Sequence, residues 1–211
     1  LTKLLWRKKN TVLLTNQIFG AEWALLSCKL TKTPMIARSG FPLSLNIKEE
    51  KGFFSFFYHY SKLVEFFVFK FADKLITTNQ YHLDLIKKKR KKKVFLLSNY
   101  VELEKFRKVN NFISSKKKLT IVFTGRLHRH KNPEIIIKAT KELHNIKLII
   151  IGDGEQKGYL EKVVREHNLP VKFLGQIKHN DLKKIYSKSD IFVLPSNYEG
   201  NPKSLLEAMA S

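Results

Sequence analysis

Glu199 and Glu207 stand in the stretch "SNYEGNPKSLLEAMAS", separated by seven residues. Glu199 falls in a Gly/Asn/Pro-rich turn and Glu207 in an apolar helical pattern, so the turn delivers the N-terminus of a helix. The backbone N–H groups around Lys203, Ser204 and Leu205 precede the first intrahelical acceptors and would face an anion placed there. A second stretch, "GRLHRHKN", follows a strand-like run and supplies Arg126 and Lys131 just after Gly125. Arg offers a planar fork to phosphate oxygens and Lys a compact charge. Two cations and a helix N-terminus at one crevice suit a diphosphate. A carboxylate beside a diphosphate is repelled unless it binds something else, and the neutral polyhydroxyl groups on either side are the candidates. Glu207, one helical turn beyond Lys203, can accept hydrogen bonds from vicinal hydroxyls as acidic residues do with ribose. Glu199 can do the same for a sugar at the other end. Ribose, two phosphates and a sugar, in that order, make a nucleotide-diphosphate-sugar. Taken alone, the same residues also fit a loop acid, a helical surface acid and two of forty surface cations.

The elements that would position these residues alternate. "LTIVFTG" (119–125), "KLIIIGDG", "VKFLG" and "DIFVLP" are apolar, β-branched runs. The helical patterns "NPEIIIKATKELH", "EQKGYLEKVVREHN", "NDLKKIYSKS" and "KSLLEAMAS" follow them in turn. Asn132 is placed to N-cap the first of these helices, with Pro133 at its first position. Continuous apolar strands alternating with amphipathic helices predict a buried parallel sheet with helices on both faces. The first half repeats the theme with strands "TVLLT" (11–15), "PMIAR" (34–38), "KLITT" (74–78) and "VFLLS" (94–98) and helices around 18–30 and 79–89. The polar stretch "KVNNFISSKKK" separates the two blocks. The expected organisation is therefore a first Rossmann-like domain over 1–108, a linker over 109–118 and a second such domain over 119–211. Four βα units are fewer than a finished domain of this kind usually has, so both domains read as incomplete pieces of a longer chain.

Composition narrows the setting. The single cysteine, Cys28, excludes a disulfide framework and a cysteine-based zinc site, which makes a reducing, cytoplasmic environment the default. A net charge of +22, from 40 Lys/Arg against 18 Asp/Glu, predicts attraction to polyanions or reflects lysine-rich codon drift. "KKKRKKK" (87–93) is either a solvated loop or a contact for anionic lipid headgroups. In "GFFSFFYHYSKLVEFFVFKFADK" the residues Ser55, His59, Lys62, Glu65 and Lys70 fall on one arc of a helical wheel, with Phe and Tyr filling the rest. Its charges argue against a membrane span. The apolar remainder fits a core, a docking face, or a peripheral contact with the inner face of a plasma membrane.

In order and spacing, "IVFTGRLHRHKNPEIIIKAT", "LIIIGDGEQKGYLEKVVREHNLPVKFLGQI" and "LKKIYSKSDIFVLPSNYEGNPKSLLEAMAS" resemble the nucleotide-binding domain of the family 4 glycosyltransferases of GT-B fold, whose signature is the E-x7-E pair. The first half is similar, more weakly, to the later part of that family's acceptor-binding domain. The resemblance implies two Rossmann-like domains with parallel sheets. It also implies transfer of a sugar, with retention and without a metal, from a UDP- or GDP-sugar to a glycan or lipid-linked acceptor in cell-surface polysaccharide biosynthesis. It assigns Glu199 to the donor sugar near its anomeric carbon and Glu207 to the ribose. Arg126, Lys131 and the amides near Ser204 and Leu205 go to the diphosphate, with Gly125 opening their loop. Gln176 and Ile177 go to the nucleobase, and Gly200 and Asn201 lie beneath the sugar. Asn132 stands where the family often has Gly. "PMIARSG" ends in Arg38 and Ser39 where the family often has a histidine, which leaves the acceptor side open.

Two other patterns carry less. "GDGEQKG" has the glycines of a dinucleotide loop, but no acid ends the next strand to bind a ribose, so it reads as a tight strand-to-helix turn. No D-x-D clamp for a metal occurs. The seven histidines lack metal-ligand spacing, and His128 and His130, flanking Arg129, read as solvated. A basic nucleic-acid-binding module would explain the charge but not the placement of the glutamates, and no stacking or recognition motif accompanies it. An inactive scaffold subunit of the same fold is the other alternative.

Overall fold

The computed structural model describes residues 11–89, 93–106 and 118–211. The chain divides into two compact units between Asn99 and Tyr100. The division falls before the expected boundary at 108. The short helix Leu103–Phe106 buries Phe106 among Val122, Ile151, Leu182 and Tyr186 of the second unit, and that packing outweighs its place in the sequence. The linker expected over 109–118 lies outside the described residues up to its last position, and so do residues 90–92 of the cationic run.

The first unit is a parallel sheet in the order β1-β2-β3-β4. Its strands are β1 (Leu13–Thr15), β2 (Met35–Ser39), β3 (Lys74–Thr77) and β4 (Val94–Leu96). Between them run α1 (Ala21–Thr31), α2 (Leu43–Lys51), α3 (Phe56–Phe71) and α4 (Gln80–Lys89). Met35, Ala37 and Leu75 are fully buried on the sheet, against Ala24, Leu25 and Cys28 of α1 and Val64 and Val68 of α3. Helix α2 was not anticipated. Its sequence, "LSLNIKEEK", has little apolar periodicity, and it stops where Gly52 takes φ 81.

Helix α3 buries a narrow stripe of Tyr58, Ser61, Val64 and Val68. Its one acid, Glu65, turns inward and accepts hydrogen bonds from Ser44 N (3.0 Å) and Ser44 Oγ (2.7 Å). Phe56, Phe57, Phe66 and Phe67 stay exposed with Lys62 and Lys70, and Lys70 Nζ lies 5.3 Å from both the Phe66 and the Phe71 ring centroids. The polar arc expected on this helix is therefore divided. Glu65 faces inward, while His59, Lys62 and Lys70 share the outside with the phenylalanines.

In the second unit, α5 (Leu103–Phe106) precedes β5 (Leu119–Thr124), α6 (Pro133–Ala139), β6 (Ile146–Ile151) and α7 (Lys157–Glu166). Then come β7 (Val171–Gly175), α8 (His179–Lys188), β8 (Ile191–Phe192) and α9 (Lys203–Met209). All pairings are parallel, in the order β7-β6-β5-β8. The isoleucine-rich strands expected from sequence form this sheet. Ile137, Leu148 and Ile150 are fully buried, each stabilising the fold by about 1.5–3 kcal/mol relative to exposure. Both units use the same device at the start of a strand. Asp73 accepts from Met35 N, and Asp190 from Thr120 N, each at 2.8 Å, which pins the amino ends of neighbouring strands in register.

Candidate nucleotide-sugar site

In the second unit the chain runs outward from β5 in one direction through β6 and β7, then returns to add β8 on the other side. The loops after β5 and β8 therefore flank the switch point, where an open α/β sheet binds ligands. These two loops carry most of the residues singled out in the sequence, and they are joined by a hydrogen bond from Asn197 N to His130 O (2.9 Å).

The β5 loop is built on close backbone approach. Gly125 N donates to Ile151 O (3.0 Å) and Leu127 N to Asp153 O (2.9 Å). A Cβ on Gly152, whose φ is 134, would stand 1.9 Å from Gly125 O, and one on Gly154 would stand 2.4 Å from Leu127 O. The "GDG" turn thus buttresses the loop, which accounts for its glycines without a dinucleotide. Beyond it a short turn, Arg129–Lys131, leads into Asn132 at φ 51, ψ 44, without a side-chain cap hydrogen bond. Asn132 thus serves by tolerating the left-handed conformation and not as the side-chain cap expected.

This geometry brings Lys131 to Glu199. The two form an ion pair with their side chains 17% and 23% exposed. Arg126 is exposed, and its side chain forms no ion pair among the described residues. His128 and His130, expected to be solvated, are instead packed. Their Nδ1 atoms lie 3.0 Å apart, and the His130 ring stacks on Tyr198 at 5.4 Å and 17°. That stack fixes the residue beside Glu199, a contribution that single-residue reading had no means to find.

Glu207 sits on α9 and is 7% exposed. Its Oε1 lies 3.0 Å from His179 Nε2 at the start of α8, and the His179 ring meets Phe106 edge-on at 5.1 Å. Ser204 and Leu205 occupy the first turn of α9. The hydrogen bond from Leu206 N to Pro202 O (3.4 Å) opens the helical ladder, so the preceding amides lie ahead of it. Tyr186 of α8 donates to Ser204 O (3.4 Å), and burial pushes its phenol pKa well up, so it stays a neutral donor. Gly200 and Asn201 are half-buried in the turn. Gln176 is exposed directly after Gly175 (φ 64), and Ile177 is half-buried against the cluster around Phe106. The structure thus joins Lys131 to Glu199 and Glu207 to His179, and links neither Arg126 nor Gln176 to another of these side chains. Among the described residues no group of three or more His, Cys, Asp or Glu is placed to hold a metal ion.

The fold and the strand-end residues define an α/β chain of GT-B type with a Rossmann-like second unit. Residues 103–211, more than half of the chain, match the family model described as glycosyl transferases group 1, and the chain belongs to that family. It is 36% identical over 134 residues to an Escherichia coli UDP-Gal:alpha-D-GlcNAc-diphosphoundecaprenol alpha-1,3-galactosyltransferase, covering 56% of this chain and 35% of that one. It is 35% identical over 101 residues, 46% of this chain and 28% of the other, to a Campylobacter jejuni alpha-1,4-N-acetyl-D-galactosaminyltransferase whose named acceptor is a PP-undecaprenol glycan. In fold it is similar to Anabaena HepE in complex with UDP and glucose, with a TM-score of 0.78 and 15% identity over 99% of this chain and 59% of that one. The matched segments thus span less than two thirds of each of these proteins.

Proposed function

We propose that this chain forms part of a retaining glycosyltransferase that uses a UDP- or GDP-sugar to extend a lipid-linked glycan for the cell surface. The observation that carries this reading is the pairing of Glu199 with Lys131 at the switch point, with Glu207 buried one segment further on beside His179. Arg126 and Lys131 hold the diphosphate and stabilise the charge it gains as it leaves, so no metal ion is required. Glu199 faces the donor sugar, and Glu207, oriented by His179, accepts from the ribose hydroxyls. The bond from the anomeric carbon to the diphosphate oxygen breaks with its electron pair on oxygen. An acceptor hydroxyl bonds to the same face of that carbon and passes its proton to an oxygen of the departing diphosphate. The diphosphoundecaprenol and PP-undecaprenol acceptors named for two relatives support a lipid-linked acceptor. Release of nucleotide from a panel of UDP- and GDP-sugars by the full-length enzyme, with and without EDTA, tests the reading. Failure of every donor, or complete loss of activity in EDTA, would overturn it. A gel shift with RNA that ignores nucleotide-sugar would favour a nucleic-acid-binding module instead.

The site of action in this reading is the surface of an anionic membrane. No helix among the described residues is long and apolar enough to cross one. The outer face of α3 supports a peripheral contact. It pairs exposed phenylalanines with Lys62 and Lys70, and the helix's one acid is turned inward. Such a face suits an interface where aromatic rings enter the acyl boundary and lysines reach the headgroups.

A further inference from the structure

The carboxyl ends of the first sheet carry a polar set that donor binding leaves unused. Three of the four strands begin on an apolar residue, Leu13, Met35 and Val94, and three finish on a polar one, Thr15, Ser39 and Thr77. Thr15 and Asn16 close β1, Arg38 and Ser39 close β2, Thr77 to Asn79 close β3, and Asn99 follows β4. Arg38 is the cation of this set. Its Nη1 donates to Asn16 Oδ1 at 2.9 Å and its Nη2 to Asn99 Oδ1 at 2.7 Å. Both partners are carboxamide oxygens, which orient the guanidinium without cancelling its charge, and no carboxylate pairs with it among the described residues. Its Nε is buried without a hydrogen-bond partner, and so is Thr15 Oγ1 at the end of the adjoining strand. The turn behind it is fixed, since Thr78 Oγ1 (2.9 Å) and Asn79 Nδ2 (3.1 Å) both donate to Gly40 O.

A half-buried guanidinium with no carboxylate partner is costly unless an anion completes it, and each Nη that donates to an asparagine keeps a second N–H for that anion. Its fork matches a phosphate in two-point geometry. The carboxyl end of a parallel sheet is also where such a ligand binds. We propose that Arg38, held by Asn16 and Asn99, is the anion-binding residue of a subsite in the first unit that takes the diphosphate of the acceptor. That the diphosphate belongs to an acceptor rests on the glycosyl-transfer reading above. The anion site itself does not.

The test is calorimetric titration of inorganic pyrophosphate into the full-length enzyme already saturated with UDP or GDP. The parent should bind pyrophosphate, Arg38→Gln should bind it at least tenfold more weakly, and Arg38→Lys should fall between. Asn16→Asp keeps the oxygen that accepts from Nη1 but adds a neutralising charge. It should weaken pyrophosphate at least tenfold with an unchanged thermal midpoint, even if Arg38→Gln folds poorly. Nucleotide affinity should stay within twofold in every variant. A parent that binds no pyrophosphate, or variants that bind it as the parent does, would overturn the proposal, the latter pointing to surface lysines. Loss of nucleotide binding and thermal midpoint together in all three variants would leave Arg38 as a strand-end tie only. If neither UDP nor GDP binds, the glycosyl-transfer reading falls, while the pyrophosphate series still reports on Arg38.

Discussion

Lys131 and Glu199, 68 positions apart, form an ion pair where the loops after β5 and β8 meet. The pair joins a residue proposed for the diphosphate to one proposed for the sugar, so a donor must engage both ends of a single electrostatic unit. Both side chains are largely withdrawn from water, so the attraction within the pair is offset by the cost of desolvating its two charges. Its worth lies in position. A lysine tied to a carboxylate is already aimed when a diphosphate arrives.

Glu199→Gln releases Lys131 from that tie. Free UDP or GDP should bind as tightly as to the parent, or tighter, because Lys131 no longer divides its charge between a carboxylate and a phosphate. Turnover of the donor sugar should fall by about 100- to 1000-fold, the usual loss when one preorganised electrostatic partner of a transition state is removed. Calorimetry with the nucleotide and product formation with the donor separate the two effects. Parent-like turnover would reduce the pair to ordinary surface charge.

Glu207→Gln should fail differently, since a ribose contact is present in ground and transition states alike. Nucleotide should bind about ten- to a hundredfold more weakly with kcat little changed, in line with a charge-assisted hydrogen bond of about 1.5–3 kcal/mol. His179→Phe keeps the ring that packs on Phe106 but loses the contact with Glu207. It should raise the nucleotide Kd a few-fold. If both variants bind nucleotide like the parent, the pair only fastens α9 to α8.

Much of this arrangement was legible in the sequence because a parallel sheet buried on both faces leaves runs such as "KLIIIG" with no plausible alternative. Turn glycines then locate the strand ends where ligands gather. Long-range partners were not legible. His179 meets Glu207 across 28 positions, and the stack of His130 on Tyr198 depends on how two loops close. Helix α3 shows the limit most clearly. Hydropathy marks its phenylalanines as the buried side, yet the smaller Ser61, Val64 and Val68 let it pack closely on α1 and α2 and leave the larger rings outside. A helix apolar nearly all round has no unique inward face until its neighbours choose one.

That outer face yields a membrane prediction. The full-length protein should bind phosphatidylglycerol vesicles much more tightly than phosphatidylcholine ones, and the difference should shrink as salt rises. Lys62→Glu with Lys70→Glu should lower the partition coefficient at least tenfold, given about 1 kcal/mol per lysine at an anionic surface. Phe56→Ser with Phe67→Ser should lower binding at every salt concentration. Equal binding to neutral vesicles in high salt, or variants that bind like the parent, would remove the membrane contact. If the phenylalanine variant instead shifted the mass in solution, a second copy of the chain would be the occupant.

The last prediction concerns acid stability and turns on His82 of α4, which is 1% exposed. Burial pushes its pKa down from 6.5 to about 4, against a smaller opposing effect from a hydrogen bond with the Ser39 backbone. Above pH 6.5 the imidazole is neutral in the folded and unfolded chains, so it adds no pH dependence. Between pH 6.5 and about 4 the unfolded chain takes up a proton that the folded chain refuses, so stability falls as pH falls through this window. The loss approaches a limit of about 3 kcal/mol, from about 1.36 kcal/mol per pH unit of displacement. His82→Gln retains a hydrogen-bonding side chain that does not titrate. Its denaturant midpoint, measured from pH 7.5 to 4, should therefore decline less steeply than the parent's. The difference between the two curves isolates His82 from the other histidines. Parallel curves across the window would show that His82 takes up its proton equally in both states, and the buried neutral imidazole would have no place in the fold's response to acid.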